Sequence, residues 1–138
     1  MDDITLVIPA KNEAESLPEV LDELLKYKIK KIIVIPTEDK KTREAIENFD
    51  CKIISQEGKG FGNALIQGIN NVETKYFCIF NADGSFDPIY LSQLKEKILL
   101  NQDFVFCSRY EPGGGSEDDT ILTYIGNKFF TGLCNLLF

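Results

Sequence analysis

The 138-residue chain carries 15 basic and 22 acidic side chains, a formal net charge of −7, and no histidine. Without histidine, Ser-His and Cys-His catalysis and any His-ligated zinc site are excluded. The acidic balance also leaves no general basic surface for nucleic acid.

The length suits one domain with a substantial core, and 43% hydrophobic with 27% charged residues is an ordinary globular composition. Cys51, Cys78, Cys107 and Cys134 are widely scattered, and three of them lie in apolar, strand-like runs. They are expected to be reduced and structural, as free cysteine in an apolar run behaves as a small hydrophobe. That suits the cytoplasm. Met1-Asp2-Asp3 gives no basic start and no long apolar run, so no signal peptide is expected.

In chain order, residues 4–8 form a short β-branched run broken at Pro9. Asn12 or Ser16 can cap the helix that follows, and Ser16-Leu17-Pro18-Glu19 has capping-box spacing. Leu17, Val20, Leu21, Leu24 and Leu25 make one helical stripe. Residues 31–35 predict a second buried strand, 40–49 a short charged helix and 51–55 a third strand. Gly58-Lys59-Gly60-Phe61-Gly62 then leads into a helix carrying Ala64, Leu65 and Ile69. The run Tyr76-Phe77-Cys78-Ile79-Phe80 reads as a buried strand delivering Asn81, Asp83 and Ser85 to a sheet edge. Pro88 belongs to the first turn of a helix over 89–100, and a fifth strand is expected over 104–108. Leu122, Ile125, Phe129, Leu133, Leu136 and Leu137 recur at helical spacing within 121–138. That stretch is too short and too polar for a membrane span and predicts an interfacial or core-packed amphipathic helix. Its apolar end at Phe138 reads as a cut through a longer protein.

Strand and helix thus alternate about five times, which predicts right-handed crossovers and an open, mostly parallel sheet with helices on both faces. The domain division expected is 1–120 for the α/β unit and 121–138 for the amphipathic helix, the start of an acceptor-side region.

Every candidate site falls at a strand's carboxyl end: residues 9–13, 36–39, 57–62, 81–85 and Arg109. A parallel sheet gathers all of these at one edge. Asn81 and Asp83 lie two apart, so in an extended chain they leave on the same side. A hard divalent cation with a phosphorylated substrate takes such a cluster of oxygens. The plain structural alternative is turn chemistry at Asp83-Gly84 with Asp87 as a helix cap. Gly58-Lys59-Gly60 offers backbone N–H groups and a cation at a helix start, suited to an anion. A structural strand-to-helix turn would use the same glycines. The stretch is neither a Walker A loop nor a dinucleotide fingerprint, because the spacing and the third glycine are wrong.

Val7-Ile8-Pro9-Ala10-Lys11-Asn12-Glu13-Ala14-Glu15-Ser16-Leu17 resembles the opening of the family 2 inverting glycosyltransferases. Gly58-Lys59-Gly60, Asn81-Ala82-Asp83-Gly84-Ser85, Ser108-Arg109-Tyr110 and Gly113-Gly114-Gly115 match that family in order and spacing. Within it, the chain is most similar to the dolichol-phosphate mannosyltransferase-like branch, which uses polyprenyl-phosphate acceptors. The resemblance implies a GT-A fold, a nucleotide-diphosphate sugar donor, and Mg2+ or Mn2+. It places Pro9 and Glu13, with Asn12, Lys59, Asn81 and Asp83, on the donor nucleotide. It puts the metal on Asp83, with Ser85 at the third position of the metal motif. Arg109 matches a phosphate-facing arginine, and Lys128 a second basic residue for an acceptor phosphate. Asp83 and Arg109 are the expected catalytic pair. A lipid-phosphate acceptor would set the protein peripherally at the inner face of a membrane.

Two departures stand out. Pro36-Thr37-Glu38-Asp39 replaces the pair of acids, followed by Gly-Ser, that usually ends the second strand and reads the base. Asn81-Ala82-Asp83 replaces Asp-x-Asp with one amide. Two other classes compete with the transferase. One is a non-catalytic nucleotide-binding or membrane-associating domain. The other is a nucleotidyltransferase, which should carry a glycine-rich, arginine-bearing loop where this chain has Pro9 to Glu13. For a hydroxyl acceptor, Asp118 and Asp119 are the nearest carboxylate bases, though a capping role for Asp119 or Thr120 explains that stretch too.

Overall fold

The computed structural model describes residues 1–108 and 120–137. The chain forms two compact units, Met1–Tyr90 and Leu91–Phe138.

The first unit is built on four strands, β1 (Ile4–Pro9), β2 (Lys30–Pro36), β3 (Lys52–Gln56) and β4 (Tyr76–Ile79). They pair in parallel in the order β3-β2-β1-β4. The helices α1 (Ser16–Leu24), α2 (Lys40–Ala45) and α3 (Phe61–Ile69) make the connections. β1 and β2 are runs of Ile, Val and Leu because both of their faces are covered. Leu6, Ile8, Ile33 and Ile35 alternate onto one face, and all are fully buried. The α1 stripe of Leu17, Leu21 and Leu24 is buried equally completely, each side chain contributing roughly 1.5–3 kcal/mol by leaving water. Ile32 and Val34 alternate onto the other face and cluster with Ala64 of α3, flanked by Ile54 and Val72. Gly68 sits where α3 presses on the sheet. A Cβ there would overlap Val7 Cγ1 and lie 3.1 Å from Val34 Cγ2.

The open parallel α/β sheet read from the sequence is therefore present, with several local differences. The charged helix ends at Ala45 rather than residue 49. Ser16 does not form a capping box. It is already the first helical residue, and its hydroxyl donates to Glu13 Oε2 at 2.5 Å. Leu25 leaves the stripe and is exposed, because the helix tightens into a 3-10 turn at that residue. The sequence predicts a buried β4, yet among the described residues β1 is its one neighbour, and Phe77 and Ile79 are exposed.

The second unit holds α4 (Leu91–Ile98) and α5 (Ile121–Leu137). The fifth strand expected over 104–108 does not form. Phe104 and Phe106 instead stack on each other with centroids 6.2 Å apart, and both are strongly exposed. Cys107 shares that exposure, as does Cys134 on α5, while Cys51 and Cys78 are partly buried, and none of the four is in a disulfide. Thr120 caps α5, its hydroxyl accepting from Thr123 N–H at 3.2 Å. The whole apolar face of α5 is exposed, from Leu122 to Leu137. Among the described residues, no helix is long and apolar enough to cross a membrane.

Candidate functional site

The connection out of β1 runs to β2 on one side, and β4 returns on the other, so β1 and β4 flank the point where strand order reverses. In open α/β sheets the crevice outside the carboxyl ends at that point is where ligands bind. Backbone pairing carries both strands one residue further, through Ala10 N–H to Val34 O at 2.9 Å and Phe80 N–H to Val7 O at 3.0 Å. The loops that follow are Lys11 to Glu13 on one side and Asn81 to Ser85 on the other.

Asn12 takes a left-handed conformation, φ 61°, which asparagine tolerates better than most residues. Its N–H donates to Asp39 Oδ2 at 2.6 Å, and Glu13 N–H donates to Thr42 Oγ1 at 2.9 Å. Asp39 also caps α2, accepting from Thr42 N–H at 3.2 Å through its other oxygen. Burial raises the Asp39 pKa, but the N–H of Asn12, the hydroxyl and N–H of Thr42 and the nearby Arg43 outweigh it. The carboxyl is held below its usual range. Asn12, Glu13, Ser16, Asp39, Lys41 and Thr42 line an open pocket of about 480 Å³.

Across the switch point, Asn81 Nδ2 donates to Ser85 Oγ at 2.9 Å, and Ser85 N–H donates to Asp83 Oδ1 at 3.0 Å. Gly84, at φ 78°, makes the turn that allows this closure. The Ser85 hydroxyl and N–H hold the Asp83 carboxyl below its usual range, against a smaller opposing effect of burial. Asp83 is exposed and ionised at neutral pH, and the Asn81 amide is oriented with its nitrogen toward Ser85. Asp87 does cap the following turn, its carboxylate accepting from Ile89 N–H at 2.9 Å. No group of three acidic, cysteine or histidine side chains converges among the described residues. An ion here would rest on one carboxylate, the Asn81 amide oxygen and a hydroxyl, with a bound diphosphate and water completing the shell. That set fits magnesium or manganese, which favour oxygen donors and substrate phosphates.

Lys59 lies beyond the end of β3 in an exposed loop. An amide network braces this loop: Gln56 Nε2 donates to Gly60 O and to Asn63 Oδ1, Gln67 Nε2 donates to Asn63 Oδ1, and Glu57 N–H donates to Gln67 Oε1. A Cβ at Gly58 would run into the Asn63 side chain, and Gly60 starts α3 at φ 87°. The two glycines therefore have structural reasons to be present.

Pro9, Asn12, Glu13, Lys59, Asn81, Asp83 and Ser85 thus all belong to one sheet edge. Arg109, the Gly113 to Gly115 loop, Asp118 and Asp119 lie outside the described residues. Lys128 is on α5, in the other unit, with its ammonium 5.3 Å from the centroid of the Tyr124 ring. Sequence reasoning missed Asp39 and Thr42 as supports of the Asn12–Glu13 loop. The cap spacing between them was visible, but their contacts to Asn12 and Glu13 were not. An open pocket of about 430 Å³ at the opposite edge, beside Lys28, Lys31 and Lys52, contains none of the expected donor residues.

A family model described as Glycosyl transferase family 2 matches residues 5–134. Glycosyltransferase AglJ of Haloferax volcanii is 23% identical over 132 residues, which cover 92% of this chain and 42% of that protein. Glycosyltransferase GlyA of Streptococcus pneumoniae is 25% identical over 137 residues, 94% of this chain and 20% of that protein. An uncharacterized glycosyltransferase of Rickettsia prowazekii is 31% identical over 118 residues, 78% of this chain and 36% of that protein. The chain therefore spans less than half the length of these relatives. In fold it is similar to mannosyl-3-phosphoglycerate synthase from Rubrobacter xylanophilus, with a TM-score of 0.58 and 18% identity over 70% of this chain and 35% of that one.

Proposed function

The chain belongs to glycosyl transferase family 2, and from that premise we propose that it transfers a hexose from a nucleotide-diphosphate sugar to an acceptor, with inversion at the anomeric carbon. The observation that carries this reading is the β1–β4 switch point, flanked by the Asn12–Glu13 loop and by the Asn81–Asp83–Ser85 turn. Pro9, Asn12 and Glu13 are assigned to the nucleoside. Lys59, with the N–H groups around it, is assigned to phosphate charge.

Asn81, Asp83 and Ser85 would hold Mg2+ or Mn2+, which when bound supplies Lewis-acid stabilisation of the departing diphosphate. In the transfer, an acceptor oxygen forms a bond to the anomeric carbon, and the bond from that carbon to the diphosphate oxygen breaks. The electron pair leaves with the nucleotide. A polyprenyl phosphate, the acceptor of the dolichol-phosphate mannosyltransferase-like branch, is already anionic and needs no base. Arg109 and Lys128 are assigned to hold it. A membrane surface would then cover the exposed apolar face of α5.

Binding of a nucleotide without transfer is the second reading. It is favoured by Asn81 standing beside a single carboxylate. Incubating the full-length protein and Mn2+ with a panel of nucleotide sugars, followed by mass spectrometry, separates the two. Transfer, or slow donor hydrolysis, is expected with at least one donor. Retention of a nucleotide with no turnover would leave the binding reading standing. In the same assay Glu13→Ala and Lys59→Ala should each weaken donor binding about tenfold, while Tm falls by no more than a few degrees, as for exposed sites. Large and equal losses of Tm would show both residues to be structural.

A further inference from the structure

Pro36-Thr37 stand where the resemblance puts the pair of base-reading acids, and Asp39 follows two residues later, at the end of that stretch, with both of its carboxylate oxygens engaged by backbone N–H groups. Oδ1 takes the N–H of Thr42 and so starts α2. Oδ2 takes the N–H of Asn12, which is 27 residues away in sequence. Thr42 is fully buried, and its hydroxyl accepts the N–H of Glu13 at 2.9 Å. Two consecutive amides of the β1 loop are thus tied to two side chains at the start of α2. Between them they hold Asn12 at its left-handed φ of 61°. Glu13 is fixed a third way, since its side chain accepts from Ser16 and its carbonyl from Leu17 N–H at 3.0 Å.

We propose that Asp39 and Thr42 are positioning residues for donor binding: they clamp the Asn12–Glu13 loop in its nucleotide-accepting shape, and Asp39 does not read the base. This rests on the donor-site reading given above. The physical argument is that a loop held by satisfied N–H groups need not be ordered when the nucleotide arrives, so binding is spared that cost. Removing the Thr42 hydroxyl leaves the Glu13 N–H without its partner, and the loop must move to find another. The low pKa of Asp39 agrees with a carboxylate committed to N–H donors. The end of the second strand then supports the pocket wall, and base selectivity has to come from other groups.

The test compares the full chain with Thr42→Val, Thr42→Ser and Asp39→Asn by two readouts. The first is calorimetric affinity, with Mn2+, for whichever of UDP, GDP, ADP or CDP the parent binds most tightly. The second is amide hydrogen exchange at Asn12 and Glu13. Valine keeps the volume of threonine but not its hydroxyl, so Tm should fall by no more than a few degrees while affinity falls about tenfold and the Glu13 amide loses protection. Serine keeps the hydroxyl and should recover most of both. Asparagine offers one side-chain oxygen in place of two, so the Asn12 amide should exchange faster, and selectivity among the four nucleotides should not change. Parent-like affinity in Thr42→Val, a Thr42→Ser variant as weak as Thr42→Val, or selectivity altered in Asp39→Asn would each overturn the clamp alone. A parent that binds none of the four nucleotides overturns the donor-site reading and the clamp with it.

Discussion

Replacing Asp83 with alanine is expected to abolish metal-dependent nucleotide binding, a loss of at least about a hundredfold. It is the one carboxylate of the Asn81–Ser85 turn. Two donors from Ser85 already orient it and keep it ionised. Asn81→Asp should act in the opposite direction and tighten Mn2+, because a second carboxylate replaces a neutral amide oxygen. The pH dependence follows from the depressed Asp83 pKa. The carboxylate competes with protons only below its folded value, so its part in ion binding is complete at neutral pH. It is lost as pH falls below the usual carboxylate range, beneath about pH 4. Titration calorimetry with a nucleoside diphosphate and Mn2+ measures all three effects, and parent-like binding by Asp83→Ala would place the ion elsewhere.

The second large effect is structural. Gly68→Ala should destabilise the first unit by about 1–3 kcal/mol, although alanine is the better helix former by roughly 1 kcal/mol. The added methyl meets Val7 Cγ1 and Val34 Cγ2, both branched, short and buried in the sheet. Neither can swing aside as a long side chain would. Shortening the first obstacle should relieve the strain, so Gly68→Ala with Val7→Ala should be more stable than the sum of the single changes predicts. Urea unfolding of the four proteins supplies the cycle, and strict additivity would show that the close approach of α3 to β1 is not what requires glycine.

How much of this was legible depends on the range of the interaction. Apolar runs such as Ile32 to Ile35, with Gly and Pro between them, give strands that are buried on both faces whatever their partners, and their alternation with helices dictates a parallel sheet. The convergence of Glu13, Lys59 and Asp83 on one edge follows from that topology without any contact being known. The pattern Phe104, Phe106 looked equally strand-like, but alternation names no neighbour. Those rings pack on each other with no strand formed. β4 shows the same limit, since its apolar sequence fits a central strand, yet among the described residues it is an edge. Asp39 failed for a different reason. Its capping relation to Thr42 is three residues long and could be read locally, whereas its bond to the Asn12 N–H exists only once β1 and β2 lie side by side. Ser16 had the right residue type for a cap and the wrong position, one step inside the helix.

Backbone amide shifts of the isotope-labelled chain, followed during titration with a nucleoside diphosphate and Mg2+, would locate the ligand on the fold. Saturable changes are expected at Asn12, Glu13, Lys59, Gly60 and Asn81 to Ser85, all at the carboxyl edge of the sheet, with little change at Lys28, Lys31 or Lys52 on the opposite edge. Changes centred on those three lysines, or none at the carboxyl edge at saturating nucleotide, would contradict a donor site at the β1–β4 switch point.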